Sequence, residues 1–259
     1  MAHQPALRVN PLTIALDTTR RAALQRAFAA PSDTTYDVPS FSARQQDERI
    51  VDGWTIAQSD LNRFRDCEWL STSCVQAIGT YINRSEQAVC SRVSPPLKPR
   101  VLFVTPDDFC PRTPVRFSTL FRARFSKLQH LVTVVNTDSR GRGSHWVAYH
   151  GLVDHQNRKV RLRLFDSMGA CHARDADVAR VFCFAYTTEE EPEPYTCSGV
   201  EVVQHRPCQE NADDCGVFAL AVCMFLFSTP SVVFADDAPF TAAHIPRFRE
   251  VMASIVLNF

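Results

Sequence analysis

The chain has 259 residues and a mass of 29.2 kDa, which is enough for one large domain or two small ones. Hydrophobic residues make up 45% and charged residues 22%, and 28 basic side chains balance 28 acidic ones. The longest apolar run, 216–227, falls well short of the roughly 20 residues that a helix needs to cross a bilayer. These values favour a folded globular protein and argue against a membrane span, a fibrous rod or a protein that binds nucleic acid by charge alone.

Ten cysteines are present, but no two of them form a Cys-x-x-Cys pair, and the first 30 residues contain no long apolar segment of the kind found in secretion signals. We therefore expect free thiols in an intracellular protein of the nucleus or cytoplasm rather than a secreted one. His150 and His155 lie five apart in a turn, which fits a surface turn better than a metal site. The sequence thus predicts neither a metal nor a cofactor.

The N-terminal part of the chain changes character near residue 45. Residues 1–45 are rich in Pro, Ser, Thr and Gln and predict a partly disordered arm, with one short helix over 17–30 that Pro31 ends. Residues 46–259 are expected to form one folded domain. Its first elements are a capped helix from residue 55, a helix over 69–82 with apolar residues at helical spacing, and a short strand over 100–104.

The second half alternates apolar runs with turns. A basic amphipathic helix is predicted over 116–129, and a polar loop, 207–214, leads into the most hydrophobic segment of the chain, which is long enough for a buried helix. A helix over 243–257 closes the chain. Strand-like runs lie at 131–135, 145–150, 160–165, 181–186 and 200–205, with loops at 138–144 and 187–194.

Three residues of this part stand out by position. His145 begins one strand and Asp166 ends the next, and since neighbouring strands lie about 4.8 Å apart, the two side chains can be within reach. Cys215 begins the apolar helix, where unpaired N–H groups and the helix dipole favour the nucleophilic thiolate. An imidazole can hold the thiol proton and pass it to a leaving amine, and a carboxylate on its far nitrogen fixes the tautomer. The order His, Asp, Cys therefore predicts nucleophilic cysteine catalysis.

Acyl transfer also needs hydrogen-bond donors where negative charge develops on the carbonyl oxygen. The backbone N–H of Cys215 could supply one donor, and the side-chain amide of Gln209, six residues earlier, could supply another. Gly216 has no side chain and would leave room for a substrate backbone to pass.

In this arrangement the sequence resembles the ubiquitin-like-protein-specific cysteine proteases, the Ulp/SENP or SUMO proteases. The resemblance runs in order through about 200 residues, 55–257, and its most specific parts are the His-Trp, Asp-Ser and Gln-to-Cys elements. The matching segments are 59–61 (SDL), 69–70 (WL), 134–136 (VVN), 145–147 (HWV), 165–169 (FDSMG), 209–211 (QEN) and 214–218 (DCGVF).

The resemblance implies an α+β, papain-like cysteine protease fold with a central mixed or antiparallel sheet flanked by helices and the nucleophile at a buried helix N-terminus. It implies a triad of His145, Asp166 and Cys215 with Gln209 as the oxyanion donor. Trp69 and Trp146 match the two tryptophans that clamp the Gly-Gly tail of the substrate, where any side chain larger than hydrogen would clash. Ser71-Thr72 depart from the Asn-Asp that usually follows Trp-Leu in the family.

The expected function is hydrolysis of the peptide or isopeptide bond after the C-terminal Gly-Gly of a ubiquitin-like modifier, with SUMO-type or NEDD8-type modifiers and their conjugates as partners and neither nucleic acid nor membrane. Three alternatives stay open. An acetyltransferase effector could use the same core, a non-catalytic module could bind the modifier without cleaving it, and a virus or mobile element could encode a processing protease of this family.

Overall fold

The computed structural model describes residues 11–12, 14–38, 54–91, 101–104, 128–137, 145–169, 173–184, 195–204, 207–228 and 240–257, except for the side chains at 54 and 86–91. The predicted loops at 138–144 and 187–194 lie outside these ranges, as does the predicted helix at 116–129 apart from its last two residues.

The N-terminal elements pack against the rest of the domain. Helix α1 (Thr18–Phe28) begins after Asp17, whose carboxylate accepts a hydrogen bond from the Arg20 N–H at 2.8 Å. Strand β1 (Thr35–Val38) pairs antiparallel with β2 (Trp54–Ala57), and the buried residues Leu24 and Val38 join the main core. The division of the chain at residue 45 falls outside the described residues and stays a prediction.

Two helices then lead towards the sheet. Helix α2 (Gln58–Arg65) begins later than residue 55, because the residues before it pair with β1. Helix α3 (Thr72–Ser91) begins after Ser71, whose hydroxyl accepts a hydrogen bond from the Cys74 N–H at 3.2 Å. Ser71 therefore caps this helix, although the family usually has a different residue there.

The central sheet has five strands in the order β3-β4-β5-β6-β7. The outer pairs β3–β4 and β6–β7 are parallel, and the inner pairs β4–β5 and β5–β6 are antiparallel, so the sheet is mixed. The strands are β3 (Val101–Val104), β4 (His130–Asn136), β5 (Trp146–Asp154), β6 (Lys159–Phe165) and β7 (Thr196–Val202).

Helices cover both faces of the sheet. Helix α4 (Asp175–Phe184) packs on one face, so the strand-like stretch predicted at 181–186 is wrong in type: its first four residues end this helix, and 185–186 lie outside the described residues. Helix α5 (Cys215–Ser228) packs on the other face and is buried all round up to Phe227, as expected for a helix that is apolar on every side. Helix α6 (Ile245–Val256) closes the chain. Among the described helices, none is both long and apolar enough to cross a membrane.

Candidate active site

The antiparallel pairing of β5 with β6 brings His145 and Asp166 together. Ala148 lies opposite Phe165 in this pair, so the start of β5 lies beside the end of β6. His145 immediately precedes β5 and Asp166 immediately follows β6. Their side chains meet through Nε2 and Oδ1 at 2.6 Å, and both residues are buried. The Asp166 Oδ1 atom also accepts a hydrogen bond from the Met168 N–H at 2.8 Å, which fixes the carboxylate.

The other ring nitrogen of His145, Nδ1, is buried and has no conventional hydrogen-bond partner. Burial lowers the pKa of His145, but the hydrogen bond to Asp166 and the interaction with the Cys215 thiol outweigh it and raise this pKa to about 9. Cys215 is the first residue of α5 and is fully buried. The imidazole therefore contacts a carboxylate through Nε2, keeps its other nitrogen unoccupied, and interacts with the thiol of Cys215.

Gln209 is bound to Ser167, the residue that follows Asp166. Its Oε1 accepts a hydrogen bond from the Ser167 hydroxyl at 2.5 Å, and its backbone N–H donates to the Ser167 carbonyl at 3.0 Å. The side-chain Nε2 donates to the Asn211 carbonyl. An amide nitrogen carries two hydrogens, and this bond uses one of them. The segment before Cys215 is thus hydrogen-bonded, through Gln209, to Ser167, the residue that follows Asp166.

Trp146 is anchored beside Gly216, the second residue of α5. Its indole Nε1 donates to the Leu70 carbonyl at 2.9 Å, which connects β5 to the loop that carries Trp69. Trp69 is half-buried in this loop. A Cβ atom added to Gly216 would lie 3.1 Å from the Leu70 Cβ and 3.2 Å from the Trp146 Cδ1. The open side of Gly216 therefore faces these two side chains, and close packing against them is one reason for a glycine at this position. Its expected role next to a substrate backbone stays a prediction.

One buried residue that the sequence does not single out contacts both the segment before Cys215 and the loop after α2. Arg249 on α6 is 2% exposed, and its guanidinium contacts Asp214, immediately before Cys215. A signal for it exists in the sequence: Arg249 lies on the same helical stripe as Ile245 and Met252, which are both buried. A charged residue within an apolar stripe predicts a buried ion pair.

The two histidines weighed as metal ligands point to different partners. His150 Nε2 lies 3.0 Å from Nδ1 of His130, and His155 Nδ1 lies 2.9 Å from the Tyr195 hydroxyl. Within the described part of the chain, no group of three or more His, Cys, Asp or Glu residues could hold a metal ion. The seven cysteines whose side chains are described are free thiols.

Comparison with known proteins adds an independent line of support. Residues 106–256 match the model of the Ulp1 protease family, C-terminal catalytic domain. The structure is similar to the C-terminal Ulp1 protease domain in complex with Smt3, the yeast ortholog of SUMO, with a TM-score of 0.60 and 16% identity, covering 95% of this chain and 97% of that one. It is also similar to the SUMO protease Ulp1 with its catalytic cysteine oxidised to a sulfenic acid, with a TM-score of 0.54, 15% identity and coverage of 94% and 96%. A comparison with curated protein sequences finds no match.

The structural likeness, at this identity, establishes the fold, and the family match covers more than half of the chain. The expected α+β protease fold with a mixed central sheet is confirmed, and so is a cysteine-type peptidase of the Ulp/SENP kind. The chain belongs to the Ulp1 protease family and carries its cysteine protease catalytic domain.

Proposed function

We propose that the chain hydrolyses the peptide or isopeptide bond after the C-terminal Gly-Gly of a ubiquitin-like modifier, with a SUMO-type modifier as the first candidate. The observation that carries this proposal is the geometry of His145, whose Nε2 binds Asp166 at 2.6 Å and whose buried Nδ1 has no conventional partner, together with the interaction between this imidazole and the Cys215 thiol. The choice of modifier rests on the fold that this chain shares with a protease bound to Smt3.

The proposed reaction has two halves. The Cys215 thiol first passes its proton to His145, and the resulting thiolate then attacks the glycine carbonyl carbon. The tetrahedral intermediate forms with its negative oxygen near the Cys215 N–H and the Gln209 amide. The C–N bond then breaks, and His145 gives its proton to the leaving amine. A water molecule attacks the resulting thioester with His145 as base, which releases the modifier with a free carboxylate and returns the thiol.

The diglycine requirement is proposed to come from Trp146 and Trp69. Trp146 is held rigidly by its bond to the Leu70 carbonyl and by contact with Gly216, and Trp69 lies on the adjoining loop. Indole faces that close on an extended chain exclude residues with a Cβ atom, so the selectivity arises from a clash with larger residues.

The seven cysteines whose side chains are described are free thiols, and a nucleophilic cysteine must stay reduced to react. The cytoplasm and the nucleus keep thiols reduced. We propose one of these two compartments for the protein.

Labelling with modifier probes tests the proposal. Ubiquitin-, NEDD8- and SUMO-type modifiers that carry a C-terminal vinyl sulfone are incubated with the full chain, and adducts are separated on a gel. Cys215→Ala is expected to abolish the adduct, whereas Cys208→Ala, a change at an exposed cysteine in the segment before α5, is expected to keep it.

Two outcomes would reject the proposal. One is the absence of an adduct with every probe, and the other is an undiminished adduct in Cys215→Ala. Mass spectrometry after incubation with acetyl-CoA separates the main alternative, because a stable acetyl group on Cys215 favours acetyl transfer.

A further inference from the structure

We propose that Arg249 is a positioning residue that fixes the loop carrying Trp69 relative to the segment 209–215, and thereby sets the width of the proposed Gly-Gly channel. The effect on catalysis rests on the proposed function, whereas the contacts of Arg249 do not depend on it.

The guanidinium of Arg249 uses all of its donors on these two segments. A guanidinium has five N–H groups in one plane. Nε and Nη2 donate to Asp214 Oδ1 at 2.8 and 2.5 Å, and Nη2 also lies 3.4 Å from the Asp213 carbonyl. Nη1 donates to the carbonyls of Arg63 and Glu68 at 2.9 and 3.1 Å. One buried side chain therefore binds both segments at once.

The first of these segments is the loop between α2 and α3. The Arg63 carbonyl belongs to the last turn of α2, whose carbonyls have no partner within the helix. The Arg63 side chain in turn donates to the Trp69 carbonyl at 3.0 Å. Arg249 thus holds the end of α2, and α2 holds the backbone of Trp69.

The second segment continues the network towards the triad. Asp214 Oδ2 accepts a hydrogen bond from the Asn211 side chain at 2.7 Å, and the Asn211 Oδ1 accepts from the N–H groups of Asp213 and Asp214 at 3.1 Å. The Asn211 carbonyl accepts from Gln209, which also binds Ser167 next to Asp166. A continuous set of hydrogen bonds therefore runs from α6 behind the nucleophile to the proposed oxyanion donor.

Charge explains why an arginine is suited to this place. Asp214 lies immediately before the helix that begins at Cys215, and its side chain is 13% exposed. A carboxylate there without a partner would be costly to bury. The planar fork of arginine neutralises it and still reaches three carbonyls, which the single ammonium group of lysine cannot do in the same plane.

Amide hydrogen exchange tests the positioning role without a substrate. The full chain with Arg249→Met is compared with the wild type and with Arg247→Met, a matched change on the same helix at a half-buried arginine that donates to the Ile14 carbonyl. We expect Arg249→Met to speed exchange about tenfold or more in both 63–71 and 209–215 while β4, β5 and β6 keep their protection. Equal acceleration throughout the chain, or no difference from Arg247→Met, would overturn the inference.

Asp214→Ala provides a second variant in case Arg249→Met does not fold. It removes only the contacts to the nucleophile segment, so exchange is expected to rise in 209–215 and to stay near the wild-type rate in 63–71. A rise of equal size in both segments would contradict separate contacts to the two loops.

Kinetics distinguish the positioning role from the proposed function itself. Arg249→Met is expected to slow labelling by a SUMO-type vinyl sulfone about 100-fold, since small misplacements of reacting groups have effects of this size. Alkylation of Cys215 by the small reagent chloroacetamide, which does not need the channel, is expected to change far less. Equal slowing of both reactions would overturn the role in channel width. A third result separates the two proposals. If no modifier probe labels the wild type but Arg249→Met still speeds exchange only in 63–71 and 209–215, the positioning role is supported and the proposed substrate is rejected.

Discussion

The imidazole of His145 lies between two groups that favour its charged form. Its pKa is raised to about 9 although burial acts in the opposite direction, because the Asp166 carboxylate and the Cys215 thiol together contribute more. The charged form is the one that must protonate the leaving amine. The carboxylate therefore has two effects in the proposed mechanism: it orients the ring through Nε2, and it keeps the proton on the ring up to alkaline pH.

Asp166→Asn is expected to shift the alkaline limb of the pH profile of kcat/KM from near pH 9 towards the ordinary histidine range. The amide removes the negative charge that raises the pKa of His145, while burial, which lowers it, remains. The maximum rate should also fall by about 10²-fold or more, because the ring loses the partner that fixes its tautomer. The measurement is cleavage of a fluorogenic SUMO-type C-terminal substrate between pH 5 and 10, where Asp154→Asn, at an exposed turn, should keep the wild-type profile. An unchanged alkaline limb in Asp166→Asn would contradict this role.

At the scale of elements, a side chain of helix α3 hydrogen-bonds to the backbone of the edge strand β3. The amide of Asn83, on α3, donates to the Phe103 carbonyl and accepts from the Phe103 N–H, both at 2.8 Å. Asn83 thus gives β3 the pair of bonds that a further strand would give it, and it does so in a buried environment. This pairing satisfies the Phe103 backbone at an edge where the described part of the sheet has no further strand.

Asn83→Ala is therefore expected to lower the free energy of unfolding by about 2–4 kcal/mol, because two buried backbone groups lose their partners. Urea unfolding followed by fluorescence measures it, and Asn157→Ala provides the control, since that asparagine makes its bonds to Asp154 on the surface. A loss in Asn83→Ala no larger than in the control would show that the Phe103 groups find other partners.

The sequence identifies the elements whose pattern is local and misses those that depend on distant partners. Alternating apolar residues predict β5 and β6, and their order in the chain is enough to bring His145 and Asp166 to one end of the sheet. The strand β2 is missed, because its four residues become a strand only by pairing with β1. Arg249 is missed for a similar reason: its partners lie 35 to 186 residues away in the chain, and a helical arginine usually faces solvent.

At the scale of the whole molecule, the N-terminal elements are part of the support of the site. Gln58, the first residue of α2, is fully buried, and its side chain donates to the Ala27 carbonyl at 3.0 Å and accepts from the Tyr36 hydroxyl at 2.6 Å. Arg65, the last residue of α2, donates to the Phe28 carbonyl at 2.9 Å. Both ends of α2 are therefore held by residues from the segment predicted as an arm, and α2 leads directly into the loop of Trp69.

Deletion of residues 1–45 is expected to destabilise the catalytic domain rather than to release a dispensable arm. The deletion removes the buried side chains of Leu24 and Val38, each worth about 1.5–3 kcal/mol of burial, and removes the Ala27 and Tyr36 partners of Gln58. Together these losses come to several kcal/mol, a large part of the stability of an ordinary domain. The unfolding midpoint in urea and the rate of probe labelling at Cys215 measure the effect. Arg21→Ala, at an exposed position on α1, should leave both unchanged. A truncated chain with the wild-type midpoint and labelling rate would instead support a domain that begins near residue 46.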